Sequence, residues 1–106
     1  LQTMSAENST AVVPEEFRLY QNHPNPFNPK TILNYDIAKD EFVRISIYDL
    51  KGREVKRLVN EYQLAGSRSA QWNATDNYDR PIPAGMYVYT INAGNFMQTK
   101  KMILLK

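Results

Sequence analysis

The chain predicts an all-β fold, and three observations carry that prediction. Apolar residues recur at every second position through several short segments, the period of a strand with one buried and one wet face. Gly, Pro, Asn and Asp punctuate those segments at short, fairly regular intervals. No segment carries a helical stripe, and nothing is spaced like a strand–helix–strand unit. Seven short strands packed as two antiparallel sheets satisfy all three.

"LQTMSAENSTAVVPEE" at the start is small, polar and acidic, with no usable period. It reads as a linker over 1–16, with the ordered domain expected over 17–106. "FRLYQ" makes a short first strand. "TILNYDIA" sets Thr31, Leu33, Tyr35 and Ile37 on one face and Asn34 and Asp36 on the other. "FVRISIYDL" points Val43, Ile45 and Ile47 inward and Arg44, Ser46 and Tyr48 outward. "DLKG" turns the chain: Asp49 can accept from the backbone just ahead of it, and Gly52 can take the positive φ that closes a short hairpin. "REVKRLV" is the returning strand, "NEYQLAG" a loop, and "SRSAQW" a strand ending on Trp72, expected in the core. "NATDNYDRPIPAG" is a long surface loop leading through Gly85 into "MYVYTINA". That segment and "FMQTKKMILL" form a last hairpin around Gly94 and Asn95. The sum is a seven-stranded antiparallel sandwich of the immunoglobulin or fibronectin type III kind.

"YQNHPNPFNPKT" interrupts this alternation. Pro24, Pro26 and Pro29 have no N–H and hold φ near −65°, and each biases His23, Asn25 and Asn28 before it toward extended geometry. The segment is expected to be a stiff, extended connector carrying the chain from one sheet to the other. The Asn side chains would satisfy local backbone groups, and Phe27 would be the buried anchor.

At 106 residues this is one domain, with room for one real core. The net charge of +2 gives no argument for nucleic acid. Charge is uneven, however: residues 1–16 carry Glu7, Glu15 and Glu16 and no base, whereas 80–106 carry Arg80, Lys100, Lys101 and Lys106 and no acid. A basic end of this kind steers partners or simply solvates a face. The absence of cysteine excludes disulfides and thiol chemistry. No apolar run reaches membrane-spanning length, so no membrane insertion is expected. The start does not look like a signal peptide, which suits either a cytoplasmic protein or a piece of a longer precursor.

Catalytic signals are poor. The single His23 sits inside the proline segment, so no Ser–His–Asp arrangement can be argued. Asp76 and Asp79 share an Asn-rich loop that could hold calcium. Their spacing does not fit an EF-hand and no downstream bidentate Glu follows, so turn formation explains them better. No cofactor is implied. Tyr48, Tyr62 and Tyr78 are the aromatics to test for exposure on a sugar-binding face. "NST" and "NAT" match a glycosylation sequon, which matters only in a eukaryotic secretory pathway.

The order of the motifs says more than any one of them. "LYQNHPNPFNPKTILNYDI" precedes "VRISIYDLKGREVKRLV", then "LAGSRSAQWNATDNYDRPIPAGMYVYTI", then a terminal "TKKMILLK". From about Phe17 to Lys106 this resembles the type A C-terminal sorting domain of the bacterial type IX secretion system. More loosely it resembles the immunoglobulin-like domain of the flagellar hook-cap protein. The matching residues are Gln21, Asn22, Pro24, Asn25, Pro26, Phe27 and Asn28, then Tyr48, Asp49, Gly52, Gly66, Trp72, Gly85 and Tyr87, and the closing Lys100 to Lys106. The pattern usually has Tyr or Phe in place of His23, and Gly near Ala74 and Asp79.

The resemblance implies a folded sorting signal, covalently linked to an N-terminal passenger. It would direct that passenger through the periplasm and across the outer membrane to the cell surface or beyond. Its implied partners are translocon components and a surface sortase that removes it. Most motif residues, among them Pro29, read as fold-makers. Recognition is expected in the last strand, at Lys100, Lys101, Met102, Ile103, Leu104, Leu105 and Lys106, read as a surface or paired at an exposed edge. The rival expectation is a carbohydrate-binding or spacer module of a secreted hydrolase, which would show a row of exposed aromatics.

Overall fold

Seven strands follow in chain order: β1 (Arg18–Leu19), β2 (Thr31–Ile37), β3 (Glu41–Tyr48), β4 (Glu54–Gln63), β5 (Gly66–Trp72), β6 (Gly85–Ala93) and β7 (Phe96–Leu104). They come from a computed structural model that describes residues 12–105. One sheet has the order β1-β2-β5 and the other β4-β3-β6-β7, with every pairing antiparallel. This is the expected immunoglobulin-like sandwich. Of the expected linker, residues 1–11 lie outside the described part, and 12–16 carry no strand.

The alternation read from the sequence produces the core. Leu33, Tyr35 and Ile37 of β2 face Val43, Ile45 and Ile47 of β3 and Tyr89 and Ile91 of β6, all buried. Trp72 is buried at the end of β5, its ring 5.8 Å from Phe27 and 6.3 Å from Tyr87. Its indole N–H donates to the Thr75 carbonyl at 2.9 Å, so the ring packs without orphaning its polar edge. Tyr87, near the start of β6, donates its hydroxyl to the Pro83 carbonyl four residues back. This is the corner that immunoglobulin-like folds use to pin the crossing between sheets.

The structure corrects three expectations. "NEYQ" is strand rather than loop, because β4 runs on to Gln63 in register with Glu41. Its polar letters reflect an edge position, and Gln63 itself is buried, accepting from the Tyr35 hydroxyl across the sandwich. Ser46 faces outward as expected but is buried between Arg57 and Thr90 of the flanking strands, and its hydroxyl has no partner.

The proline segment is the third correction. It is bent rather than extended, turning over Pro24–Pro26 and again at Asn28–Pro29. The peptide bonds before Pro24, Pro26 and Pro29 are cis. Nor does it transfer the chain between sheets. The chain leaves β1, bridges to β2 at His23–Ile32, swings across to β7 at Phe27 and returns to begin β2. Asn22, buried, holds the bend by donating to the Pro24 carbonyl and the Thr31 hydroxyl, and Thr31 donates to the same carbonyl. Phe27 is the buried anchor that the sequence suggested.

Candidate functional site

Two loops carry the conspicuous charged residues, and they are copies of one device. In "DLKGR" Asp49 accepts from the backbone N–H of Lys51 and Arg53 through one oxygen and from the Arg53 Nε through the other. In "DNYDR" Asp76 accepts from the N–H of Tyr78 and Arg80 and from the Arg80 Nε in the same way. The Arg53 and Arg80 backbone N–H groups chiefly hold both carboxyls below the ordinary Asp range, against a smaller opposing effect of desolvation. The fourth residue of each turn lies in the left-handed region, Gly52 at φ 84° and Asp79 at φ 62°. Asp76 thus has both oxygens committed, and Asp79 pairs with Lys56 at 3.7 Å. Among the described residues no group of three or more His, Cys, Asp or Glu is placed to hold a metal ion.

A cleft of about 680 Å³ lies between the two turns, lined by Asp49, Arg53, Asp76, Arg80, Tyr78 and Tyr87 among others. His23 takes no part in it and is exposed. The exposed aromatics do not form a row. Tyr20 follows β1, Phe42 and Tyr62 pair across β3 and β4, and Tyr78 sits in the second turn with Arg80 over its ring. Tyr48 is half-buried.

The last strand divides its expected recognition residues in two. Met102 and Leu104 face inward and are buried, so they belong to the core. Lys100, on the same side, is half-buried. Lys101, Ile103 and Leu105 face outward, and Lys106 lies outside the described residues. Ile103 is 38% exposed and Leu105 50%. Gly85 pairs with Leu104 at the open end of the hairpin, whose register is fixed by the two-residue turn between Ala93 and Phe96.

β7 is an edge strand, but its outer edge is not open. The Ile103 N–H donates to the Asn25 side-chain oxygen at 3.0 Å. The Ile103 carbonyl accepts from the Phe27 N–H, and the Leu105 N–H donates to the Phe27 carbonyl. The Gln21 amide donates to the Lys101 carbonyl at 2.7 Å. Two amide side chains and one residue's backbone therefore stand in for a neighbouring strand. A string of prolines can cover an edge in this way because side chains complete what its backbone cannot offer: Gln21 supplies a donor and Asn25 an acceptor. Of the two expected modes of recognition, edge pairing along Lys101–Leu105 is obstructed and the outward face is open.

Sequence reasoning missed two parts of this surface. Met86, 40% exposed, lies opposite Ile103, and Val88 lies opposite Lys101. Their outward position was available from the alternation of "GMYVYTINA", but only the pairing register puts them beside β7. The edge-covering roles of Gln21 and Asn25 had no local signal.

Fold and surface together define an immunoglobulin-like sandwich built of tied turns, a covered edge and one displayed strand face. The chain belongs to the family of secretion system C-terminal sorting domains, whose family model matches residues 21–105. Among solved structures, dimeric latent PorU from Porphyromonas gingivalis is similar with a TM-score of 0.65 at 24% identity. That match covers 80% of this chain and 9% of that one. PorZ from the same organism, described as an essential surface component of its type-IX secretion system, is similar with a TM-score of 0.57 at 13% identity. There the match covers 87% of this chain and 12% of that one. These identities speak to fold, and the chain spans a small share of either protein's length. No curated protein matches the chain.

Membership of this family assigns the domain to secretion across the outer membrane, toward the cell surface or the extracellular space. Among the described residues no helix is long and apolar enough to cross a membrane.

Proposed function

We propose that this domain is the address label of a larger precursor: it directs a passenger, attached through residues 1–16, to the type IX translocon, and a surface sortase then removes it. The domain itself carries out no chemistry in this reading. The observation that supports it most is the extent of the family match, which covers the two-sheet unit from Gln21 to Leu105, terminal strand included. The candidate recognition residues reduce to those displayed outward, Lys101, Ile103 and Leu105, while the proline segment and the tied turns keep that face in shape.

A truncation is a poor test, because deleting Lys100–Lys106 removes Met102 and Leu104 from the core. A gain of function is cleaner. A periplasmic reporter fused ahead of the whole chain, in a host with a type IX apparatus, should reach the cell surface or medium. The same reporter alone should stay in the periplasm. Retention of the fused reporter in the periplasm refutes the reading.

A further inference from the structure

The outward face of the β6–β7 hairpin departs from what a solvated sheet face requires. Outward positions of an antiparallel sandwich are ordinarily polar. Here the closing end presents Ile103 and Met86 side by side, Leu105 beyond them, and Val88 next to Lys101. Contiguous apolar surface with a polar rim marks an interaction site more often than chance exposure does. The charges point the same way. No Asp or Glu occurs anywhere from Arg80 to Lys106. Lys101 enters no ion pair among the described residues. The acids nearest this end of the sheet are already engaged: Arg57 binds both oxygens of Glu54, opposite Tyr48, and Asp49 is held by the Lys51 and Arg53 N–H groups and the Arg53 Nε.

Resting on the sorting reading above, we infer that this face docks a protein segment bearing a carboxylate set among apolar side chains. The carboxylate pairs with Lys101, and the apolar side chains pack on Ile103, Met86 and Leu105. The contact is made through side chains on the sheet face and not by adding a strand. Four backbone groups that an added strand would need, from Lys101 to Leu105, are already bonded to Gln21, Asn25 and Phe27. Charge complementarity selects an acidic partner, because a basic one would meet an unneutralised ammonium and a neutral one would leave Lys101 desolvated without a counter-charge.

The test uses the fused reporter in the type IX host, with single substitutions that leave the core untouched. Lys101→Glu and Ile103→Asp should each lower surface delivery at least about tenfold, the loss that one buried hydrogen-bonded charge or one apolar anchor carries at an interface. Lys101→Arg should stay within about twofold, and so should Ser69→Glu on the exposed face of the opposite sheet, where the same one-unit change as in Ile103→Asp meets no docking surface. Thermal melts of the purified chains check that each variant is folded. Normal delivery of Lys101→Glu and Ile103→Asp overturns the inference while leaving the sorting reading intact, because the unchanged fusion is still exported. Failure of the unchanged fusion overturns the sorting reading itself. Two binding measurements complete the test. Sedimentation of the unchanged chain with phosphatidylglycerol vesicles, abolished by Lys101→Glu, would assign the face to lipid. A concentration-dependent dimer abolished by Ile103→Asp would assign it to a second copy. Either result overturns the inference.

Discussion

Replacing Asn25 with Ala removes the acceptor of the Ile103 N–H and leaves every other covering contact of β7 in place. That N–H points away from β6, so no partner within the sheet can take over. A net hydrogen bond is worth about 0.5–1.5 kcal/mol. The bond is exposed, water replaces part of it, and the lower half of that range applies, about 0.5–1 kcal/mol. At 1.4 kcal/mol per tenfold this is an increase of roughly two- to fivefold in the local opening of the edge. Amide hydrogen exchange read residue by residue is the assay. Ile103 and Leu105 should exchange roughly two- to fivefold faster in Asn25→Ala at near-neutral pH. Amides at the sheet centre, such as Ile45 and Ile91, should change less. Asn25→Asp keeps an acceptor and should retain the protection of Ile103. Unchanged exchange at Ile103 in the Ala variant, or equal acceleration in Ala and Asp, refutes the idea that the proline segment serves as a surrogate strand.

Four further outcomes follow from the same structure. Gly52→Ala meets no atom within 4 Å, so its cost is conformational. The left-handed penalty of about 1–2 kcal/mol, less about 0.4–1 from the stiffer unfolded chain, leaves a loss of up to roughly 1.5 kcal/mol by denaturant titration. Asp79→Gly, at the equivalent position of the second turn, should be neutral or slightly stabilising, because it relieves the same strain and gives up only an exposed ion pair. Asp49 and Asp76 are held below the ordinary value, so the unfolded chain takes up protons first on acidification. Their stabilisation is complete above about pH 4 and is lost as pH falls through the folded values; a double Asp→Asn variant should show a flatter acid limb in thermal melts. Burial raises the Tyr89 hydroxyl from 10.0 to about 12, against a smaller lowering by its bond from the Asn22 N–H. Its contribution is therefore whole below pH 10 and lost as pH rises through about 12, and Tyr89→Phe should flatten the alkaline limb.

The residues legible in advance were those whose role is local. The turn at "DLKG" could be read because Asp49 and Gly52 act on their own backbone within four residues. The second turn shows the limit of that reading. "DNYDR" has Asp79 where the first turn has Gly52, and Ala74 also sits at φ 61°. These are the two places where Gly is usual in the resembled family. The motif departure and the backbone strain are one fact seen from two sides, joined only by the φ angles of the folded chain. β4 went wrong for a related reason. An edge strand needs few apolar residues, so "NEYQ" carries loop letters while its backbone pairs along β3.

Two sheets, seven strands, the buried faces of β2 and β3, and the core positions of Phe27 and Trp72 were all written in the sequence. Pleating sends neighbouring side chains to opposite faces, so alternation along a few residues reports burial directly. The covered edge and the displayed face were not. Asn25 and Ile103 meet across 78 residues of chain, and Met86 joins Ile103 only through the register of a hairpin. Contacts at such separation depend on which strands become neighbours, and packing of the whole sandwich decides that.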